Sequence, residues 1–259
     1  MSVDITLGNV ANTATFSTFD SLVSGSLNDT ITVSGQITAA TVDLGGGTDS
    51  LILANTENTV TVSNTESVTG GTSDDTIIVG SSISAGVYNL GAGTDILTLG
   101  DFANTVTVSN VETITGGTSS DVVTLGTQVT TGTIDLGAGT DRLTLGNFAN
   151  TVTVENIETV TGGTSSDVVT LGTQVTTGVF NLGAGTDTLV LGDFAKTLTV
   201  ANAETVTGGT DDDVVTLGAS GTSTIDLDQE LIRLCLATMS ARCPSRISRR
   251  FSAETLMMS

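Results

Sequence analysis

Nine aspartates recur along this chain at a fixed spacing, and they are the residues best suited to chemistry. Asp29 and Asp49 are 20 residues apart, and Asp49 and Asp75 are 26 residues apart. The two spacings then alternate, so the full period is 46 residues. Each aspartate follows a turn-like stretch and precedes a short apolar strand. Carboxylates stacked side by side repel one another and attract a hard cation that prefers oxygen ligands. The nine positions are Asp29, Asp49, Asp75, Asp95, Asp121, Asp141, Asp167, Asp187 and Asp213.

Two kinds of glycine turn precede these aspartates. The longer half of the repeat ends in Gly-Gly-Thr-Ser-Ser-Asp, and the shorter half ends in Leu-Gly-Ala-Gly-Thr-Asp. Glycine reaches backbone dihedrals closed to other residues, so carbonyl oxygens can turn inward beside the carboxylates. The glycines of the first kind are Gly116, Gly117, Gly162 and Gly163, and those of the second are Gly91, Gly93, Gly137, Gly139, Gly183 and Gly185.

The elements that position these turns are short strands. After each aspartate, apolar residues alternate with polar ones, as at Leu97 and Leu99, which indicates a strand with one inward face. A second strand reads Thr-Val-Thr-Val, as at 105–108. We therefore predict an all-β, right-handed parallel β-solenoid whose coil lengths alternate between 20 and 26, as the aspartate steps do. The alternative is a single 46-residue coil with aspartates on two opposite edges.

The turns resemble the nonapeptide Gly-Gly-x-Gly-x-Asp-x-apolar-x of the repeats-in-toxin (RTX) family. The fullest match is Gly45-Gly46-Gly47-Thr48-Asp49, and the resemblance covers residues 3 to about 228. In that family, successive turns hold calcium ions between them through the aspartate carboxylate and turn carbonyls. The resemblance implies Ca²⁺ at the ten glycines named above and at Asp49, Asp75, Asp95, Asp121, Asp141, Asp167, Asp187 and Asp213.

The chain departs from that family pattern in three ways. Ser119 and Leu136 stand where the nonapeptide has glycine, and the expected coils differ in length from two tandem nonapeptides. Some turns are therefore expected to bind calcium weakly or not at all. The alternative is that each aspartate caps its own turn through local hydrogen bonds to the backbone.

Two further repeated features are interpreted as ordinary surface. The acids Glu66, Glu112, Glu158 and Glu204, with Asp20 in register, would recur in every second coil; we expect solvated carboxylates there, with calcium binding as the lesser alternative. Outward threonines of the Thr-Val-Thr-Val strand could order water, as ice-binding proteins do. With the expected coils such pairs recur only in alternate coils, and Lys196 interrupts the row, so a plain strand surface is favoured.

Composition limits the partners. The chain has 28 Asp and Glu against 7 Lys and Arg, no His, and a net charge of −21. Such a chain repels nucleic acid and anionic lipid and attracts cations. Neither an apolar stretch long enough to span a membrane nor a secretory signal is found. The expected partners are calcium ions, a second copy bound through open solenoid ends, and cell-surface polysaccharide.

The sequence divides into a repeat array at residues 3–228 and an aberrant basic tail at 229–259. The tail lacks glycine and holds five of the seven basic residues. One explanation is a capping segment with a helix around 230–239. The other, which the complete change of composition favours, is a reading-frame shift within a longer array.

The resemblance to the RTX family implies a non-enzymatic, calcium-binding structural module of a bacterial secreted or cell-surface protein, since similar arrays occur in adhesins, surface layers and proteins exported by type I secretion. One alternative is a polysaccharide-acting β-helix enzyme, although the array offers only Tyr88, Arg142 and Lys196 beside its carboxylates. The other is a calcium-independent, self-associating structural rod.

Overall fold

The computed structural model describes residues 3–218, 224–226, 233–236 and 251–252. These residues form 27 strands and no helix, so none of them belongs to a helix that could cross a membrane. The all-β fold is therefore confirmed. The helix expected around 230–239 is wrong for its described part, because residues 233–236 form a strand; the rest of the tail lies almost wholly outside the described residues.

The chain divides into two compact units, and the first holds residues up to 127 together with 136–139. Its odd-numbered and even-numbered strands form two separate parallel sheets, called here the first and second sheet. The strands are β1 (Asp4–Thr6), β2 (Thr13–Phe16), β3 (Ser21–Val23), β4 (Thr30–Val33), β5 (Thr38–Asp43), β6 (Ser50–Ile52), β7 (Asn58–Ser63), β8 (Ser67–Thr69), β9 (Asp75–Val79), β10 (Gly86–Asn89), β11 (Ile96–Thr98), β12 (Thr105–Ser109), β13 (Thr113–Thr115) and β14 (Val122–Leu125).

The second unit holds residues 128–135 and those from 140 onward. Odd and even strands again belong to the first and second sheet, and β27 pairs antiparallel with β25. The strands are β15 (Gly132–Asp135), β16 (Arg142–Thr144), β17 (Thr151–Glu155), β18 (Thr159–Thr161), β19 (Val168–Leu171), β20 (Gly178–Asn181), β21 (Thr188–Val190), β22 (Thr197–Ala201), β23 (Thr205–Thr207), β24 (Val214–Leu217), β25 (Thr224–Asp226), β26 (Arg233–Leu236) and β27 (Phe251–Ser252).

Each unit is a stack of coils, and a coil contributes one strand to each sheet. Every strand pairs with the strand two further along, so the parallel β-solenoid is confirmed. The expected coil lengths are wrong, and so is the 46-residue alternative. Val60 pairs with Ile77, a step of 17, and Ile77 pairs with Leu97, a step of 20. The same two steps recur in the second unit.

The reason for the discrepancy is the number of strands in a repeat. One 46-residue repeat contains five strands, as from β6 to β10, whereas a coil uses two. A strand and its equivalent in the next repeat therefore belong to different sheets. The shorter step between aspartates is one coil, but the longer step crosses to the other sheet.

A narrow apolar core lies between the two sheets of each unit. Inward residues are fully buried and stack on their partners in the next coil, as Leu51 does on Val68, which in turn stacks on Tyr88. Tyr88 is buried among aliphatic residues, and its hydroxyl donates to the carbonyl of Thr65 at 2.9 Å. Each coil thus buries its apolar face against its neighbours, which is the physical basis of a repeat fold.

Candidate functional site

The nine aspartates do not form one row. Three pairs lie one coil apart, and they do not all stand beside the same sheet; the pairs are Asp29–Asp49, Asp75–Asp95 and Asp167–Asp187. Asp29 and Asp49 precede β4 and β6 of the second sheet, whereas Asp75 and Asp95 stand at β9 and β11 of the first sheet. The expectation of a single stacked column of carboxylates is therefore wrong. Like charges still approach one another, but within a pair and not along the whole chain.

Each pair belongs to a ladder of side-chain hydrogen bonds that runs from coil to coil. Oδ1 of Asp75 accepts the backbone N–H of Asn58 at 2.9 Å, and Oδ1 of Asp95 accepts that of Asp75 at 2.7 Å. Oε2 of Glu112 accepts the backbone N–H of Asp95 at 2.9 Å. The side-chain amide of Asn58 donates a second hydrogen bond to Oδ1 of Asp75. We call this the acid ladder.

The same order, asparagine–aspartate–aspartate–glutamate, is repeated in both units. Each acidic side chain accepts the backbone N–H of the residue one coil before it. The other complete ladders are Asn12–Asp29–Asp49–Glu66 and Asn150–Asp167–Asp187–Glu204, and the pairs Asn104–Asp121 and Asp141–Glu158 make the same bonds. The carboxylates are thus caps that act between coils. Local capping within one turn also occurs, as expected from the sequence: the backbone N–H of Gly71 donates to Oδ2 of Asp75 at 3.2 Å.

Sequence reasoning misplaced the glutamates and missed the asparagines. Glu66, Glu112, Glu158 and Glu204 are half-buried ladder members, which corrects their interpretation as solvated surface. Asp20 acts in the same way, since its Oδ2 accepts the N–H of Val3 at 2.6 Å. The sequence spacing could have revealed these ladder members. Asn58 and Asp75 are 17 residues apart, and so are Asp49 and Glu66, which indicates that both pairs are one coil apart.

A second missed set is the asparagine that precedes each glutamate by two residues. Asn64, Asn110, Asn156 and Asn202 all adopt positive φ between 51° and 55°. Asn64 donates from its side chain to Asp43 at 2.8 Å, and Asn156 donates to Asp135 at 2.7 Å. Asparagine tolerates the left-handed conformation and bonds to nearby groups. It therefore makes the tight corner between two strands and ties it to the preceding coil.

The second carboxylate oxygen of the ladder aspartates is the unusual atom. In Asp49, Asp95 and Asp187, Oδ1 accepts a backbone N–H, whereas Oδ2 is buried without a hydrogen-bond partner. All three residues are no more than 1% exposed. Buried polar atoms nearly always have a partner, and an ionised oxygen without one is costly. A bound proton or cation would remove the cost of burying these oxygen atoms as anions.

The pKa values of these aspartates are raised accordingly. Burial is the main cause of the raised pKa of Asp95, which reaches about 6; the charges of Asp75, Glu112 and Asp74 add to it, and the N–H of Asp75 opposes it. Burial likewise raises the pKa of Asp49 and Asp187, with the neighbouring ladder acids contributing. In this environment, negative charge is disfavoured by desolvation first and by repulsion second.

Asp29 is an internal contrast. Burial acts to raise its pKa, but hydrogen bonds from the Ser24 hydroxyl to Oδ2 and from Asn12 to Oδ1 lower the pKa overall. Asp29 is as buried as Asp95. At Asp29 the hydrogen bonds to both oxygens outweigh burial, whereas at Asp75 burial outweighs them and the pKa is raised.

The predicted glycines form close-packed turns beside the ladders. Gly91 and Gly93 have φ of 97° and 148°, and a Cβ at Gly91 would lie 2.0 Å from the carbonyl oxygen of Gly71 in the preceding coil. The other turn type packs as tightly, since a Cβ at Gly117 would lie 2.1 Å from the carbonyl oxygen of Gly100. Positive φ recurs at Gly137, Gly139, Gly183 and Gly185, and close backbone packing recurs at Gly116, Gly162 and Gly163.

One ladder begins with lysine instead of asparagine. Lys196 is 2% exposed; its backbone N–H donates to Oδ1 of Asp213 at 3.1 Å and its Nζ donates to the carbonyl of Phe194 at 3.2 Å. The amine also lies 4.9 Å from the centre of the Phe194 ring. Burial lowers the pKa of Lys196, and the charges of Asp213 and Asp193 oppose that shift.

The donor set fits a calcium ion only in part. Among residues 3–218 and the short described stretches beyond them, no three Asp, Glu, His or Cys side chains form a preassembled metal site. Calcium prefers six to eight oxygen ligands. An ion beside the second oxygen of Asp95 would need backbone carbonyls or water for most of its shell.

No protein-family model matches this chain, and neither a curated protein nor a solved structure matches it significantly.

Proposed function

We propose that this chain is a non-catalytic structural repeat module whose buried aspartates take up calcium. The β-solenoid fold is itself a structural repeat fold. The observation that carries the calcium proposal is the Oδ2 atom of Asp95, which is buried, has no hydrogen-bond partner, and lies near the charges of Asp75 and Glu112. A divalent cation would convert this repulsion into attraction.

Coil length supports the resemblance that suggested calcium. The stacked partners are separated by steps of 17 or 20, and two tandem nonapeptides fall between these values. The departure in coil length noted from the sequence is therefore smaller than the expected coils of 20 and 26 residues implied. The glycine turns also pack backbone against backbone between coils, so the carbonyl oxygen of one turn, as at Gly71, lies directly against the glycine of the next, as at Gly91.

The setting we propose is a bacterial secreted or cell-surface protein, similar to adhesins or surface layers and exported by type I secretion. A net charge of −21 makes the folded chain costly to assemble without cations. Calcium is abundant outside cells, so binding there would stabilise the folded state by mass action. A second copy and cell-surface polysaccharide are further partners within this proposal.

A second candidate function is a structural module that needs no calcium. The observation that favours it is the acid ladder itself: each ladder carboxylate already accepts a backbone N–H from the neighbouring coil. Coils tied in this way are stabilised without an ion if the second oxygens are protonated. The two candidates differ in what must neutralise Asp95.

Calcium titration of the full chain separates the two candidates. We expect calcium to raise the thermal unfolding midpoint relative to a chelator, magnesium to raise it less, and calorimetry to detect binding. The triple variant Asp49→Asn/Asp95→Asn/Asp187→Asn should lose most of the calcium effect. Asp101→Asn/Glu57→Gln removes two exposed acids and should keep it. An unchanged midpoint with calcium would reject the calcium proposal in favour of the second candidate.

The enzyme alternative loses its obvious acid–base groups. Tyr88 is buried, and desolvation raises its pKa well above the ordinary value, with the charge of Glu66 contributing. The amine of Lys196 is held against Phe194. Neither group is placed to reach a substrate. Cleavage of a uronate polymer by the full chain would overturn the non-catalytic part of the proposal.

A further inference from the structure

The corrected coil length changes the interpretation of the outward threonines. The sequence argument against a water-ordering surface assumed that Thr-x-Thr pairs recur only in alternate coils. In the structure, every coil of the first sheet between β7 and β13 presents an outward pair of β-branched residues. We call this surface the threonine face; its residues are Thr59, Thr61, Thr76, Ile78, Ile96, Thr98, Thr113 and Thr115.

The pairs align into two columns across the four strands. One column pairs Thr59 with Thr76, then Ile96, then Thr113, and the other pairs Thr61 with Ile78, then Thr98, then Thr115. The register is continuous here, without the shift that occurs between β5 and β7 at Thr38 and Ala40. Adjacent strands are about 4.8 Å apart, and residues two apart on a strand are about 6.7 Å apart. The face is therefore a two-dimensional grid.

Every position on this grid carries a γ-methyl group, and six of the eight also carry a hydroxyl. The exceptions are Ile78 and Ile96, which are 37% and 39% exposed. Two isoleucines on adjacent strands cost free energy in liquid water, because their apolar surface stays hydrated. The methyl grid is thus preserved even where the hydroxyl is not. β-Branched side chains are also stiff at χ1, so the grid is ordered before anything binds.

The second unit repeats this surface. Thr151, Val168, Thr188 and Thr205 form one column, and Thr153, Thr170, Val190 and Thr207 form the other. Valine now replaces threonine at two positions, and again the γ-methyl is kept. None of the sixteen positions is charged, although the chain carries 28 acids.

We propose that the threonine face of each unit binds the surface of ice. A neutral face on a strongly acidic chain fits a neutral occupant, and ordered water is neutral. The grid is regular in both directions, so its hydroxyls can take the places of water molecules in an ordered layer while the methyls sit in the gaps between them. A protein partner would be expected to use aromatic anchors, and the face has none. This inference does not rest on calcium binding.

The test is partition of the full chain into growing polycrystalline ice, together with inhibition of ice recrystallisation. The wild-type chain should be enriched in the ice fraction. Lysine at four grid positions, in Thr76→Lys/Thr98→Lys/Thr170→Lys/Thr188→Lys, should reduce this to the level of an inert protein. The matched control places four lysines on exposed threonines outside both faces, in Thr130→Lys/Thr131→Lys/Thr176→Lys/Thr177→Lys, and should retain enrichment.

A gentler pair of variants guards against loss of folding. Thr98→Val/Thr170→Val keeps the methyl and removes the hydroxyl, whereas Thr98→Ser/Thr170→Ser does the reverse. We expect the valine variant to retain more ice affinity than the serine variant, with unchanged circular dichroism spectra for both. Wild-type enrichment no greater than that of an inert protein would overturn the proposal. Equal losses from the lysine face variant and its control would do so too.

Discussion

The backbone N–H of Asp75 donates to Oδ1 of Asp95, the equivalent residue one coil later, at 2.7 Å. This bond holds the carboxylate of Asp95 against the backbone of Asp75, and the charge of Asp75 contributes to the raised pKa of Asp95. It satisfies one oxygen of Asp95 and leaves the other buried beside like charge. The stability of the coils therefore depends on what neutralises the second aspartate of each pair.

Asp95→Asn is expected to stabilise the calcium-free chain at neutral pH. The amide keeps an oxygen to accept the N–H of Asp75 and removes a buried charge. The gain should be on the order of 1 kcal/mol in the free energy of unfolding. Urea unfolding in the presence of a chelator measures it.

Asp29→Asn is the matched control for that variant. Both oxygens of Asp29 have hydrogen-bond donors, and its pKa is lowered instead of raised. Removing this charge should destabilise the chain. A lower unfolding midpoint for Asp95→Asn, or equal effects of the two variants, would contradict the role assigned to the second oxygen.

The calcium-free chain should be more stable in mild acid than in mild base. The pKa of Asp95 in the folded chain, about 6, lies above its ordinary value of 3.8, so the folded state binds more protons between these two values. The stabilising contribution is complete below the ordinary value and is lost as pH rises through about 6. Urea unfolding midpoints measured in chelator across this range provide the test.

Calcium and the Asp95→Asn variant should each flatten this pH profile. Under the proposed function calcium would compete with protons for the same oxygen, and the asparagine does not titrate. A chain whose stability rises with pH across the window would show that lowered pKa values, as at Asp29, dominate instead.

Asn104→Ala should cost about 1–3 kcal/mol. The amide of Asn104 donates to the carbonyls of Leu99 and Phe102 and to Oδ1 of Asp121, so alanine leaves buried acceptors without their donor. Thr131→Ala, at an exposed position, should change stability little. Equal unfolding midpoints for the two variants would show that the asparagine is dispensable.

Lys196→Asn is expected to stabilise the second unit by about 1 kcal/mol. Asparagine at the equivalent Asn150 makes three side-chain hydrogen bonds, including one to Oδ1 of Asp167 at 2.9 Å, whereas the buried amine of Lys196 bonds to the carbonyl of Phe194. The reverse change, Asn150→Lys, should lower the unfolding midpoint. Should Lys196→Asn prove less stable, the charge of lysine beside Asp213 would matter more than the lost bonds.

Much of this fold was predictable because its determinants are local. Alternation of apolar and polar residues gave the inward faces, as at Leu97 and Leu99, and both are fully buried. The order of turn, aspartate and strand gave a parallel solenoid. The shorter of the two aspartate steps, from Asp75 to Asp95, gave a true pair of stacked neighbours.

Coil length was not predictable from the repeat alone. A 46-residue repeat of five strands has the same sequence pattern whether each coil contains two strands or more. Alternation of polar and apolar residues along a strand does not indicate which strand lies beside it. The coil lengths of 17 and 20 residues are fixed only by the hydrogen bonds between parallel strands of successive coils.

The sequence by itself determined which residues face inward, where the glycine turns fall, and that acids recur in register. The tertiary structure decided which acids meet. It put Asp49 and Asp75 beside different sheets, brought Asn58 and Glu112 into the ladder that holds Asp75 and Asp95, and set the outward β-branched residues in unbroken columns. The physical reason is that these contacts join residues one coil apart, and their partners are fixed by strand pairing and not by neighbours in sequence.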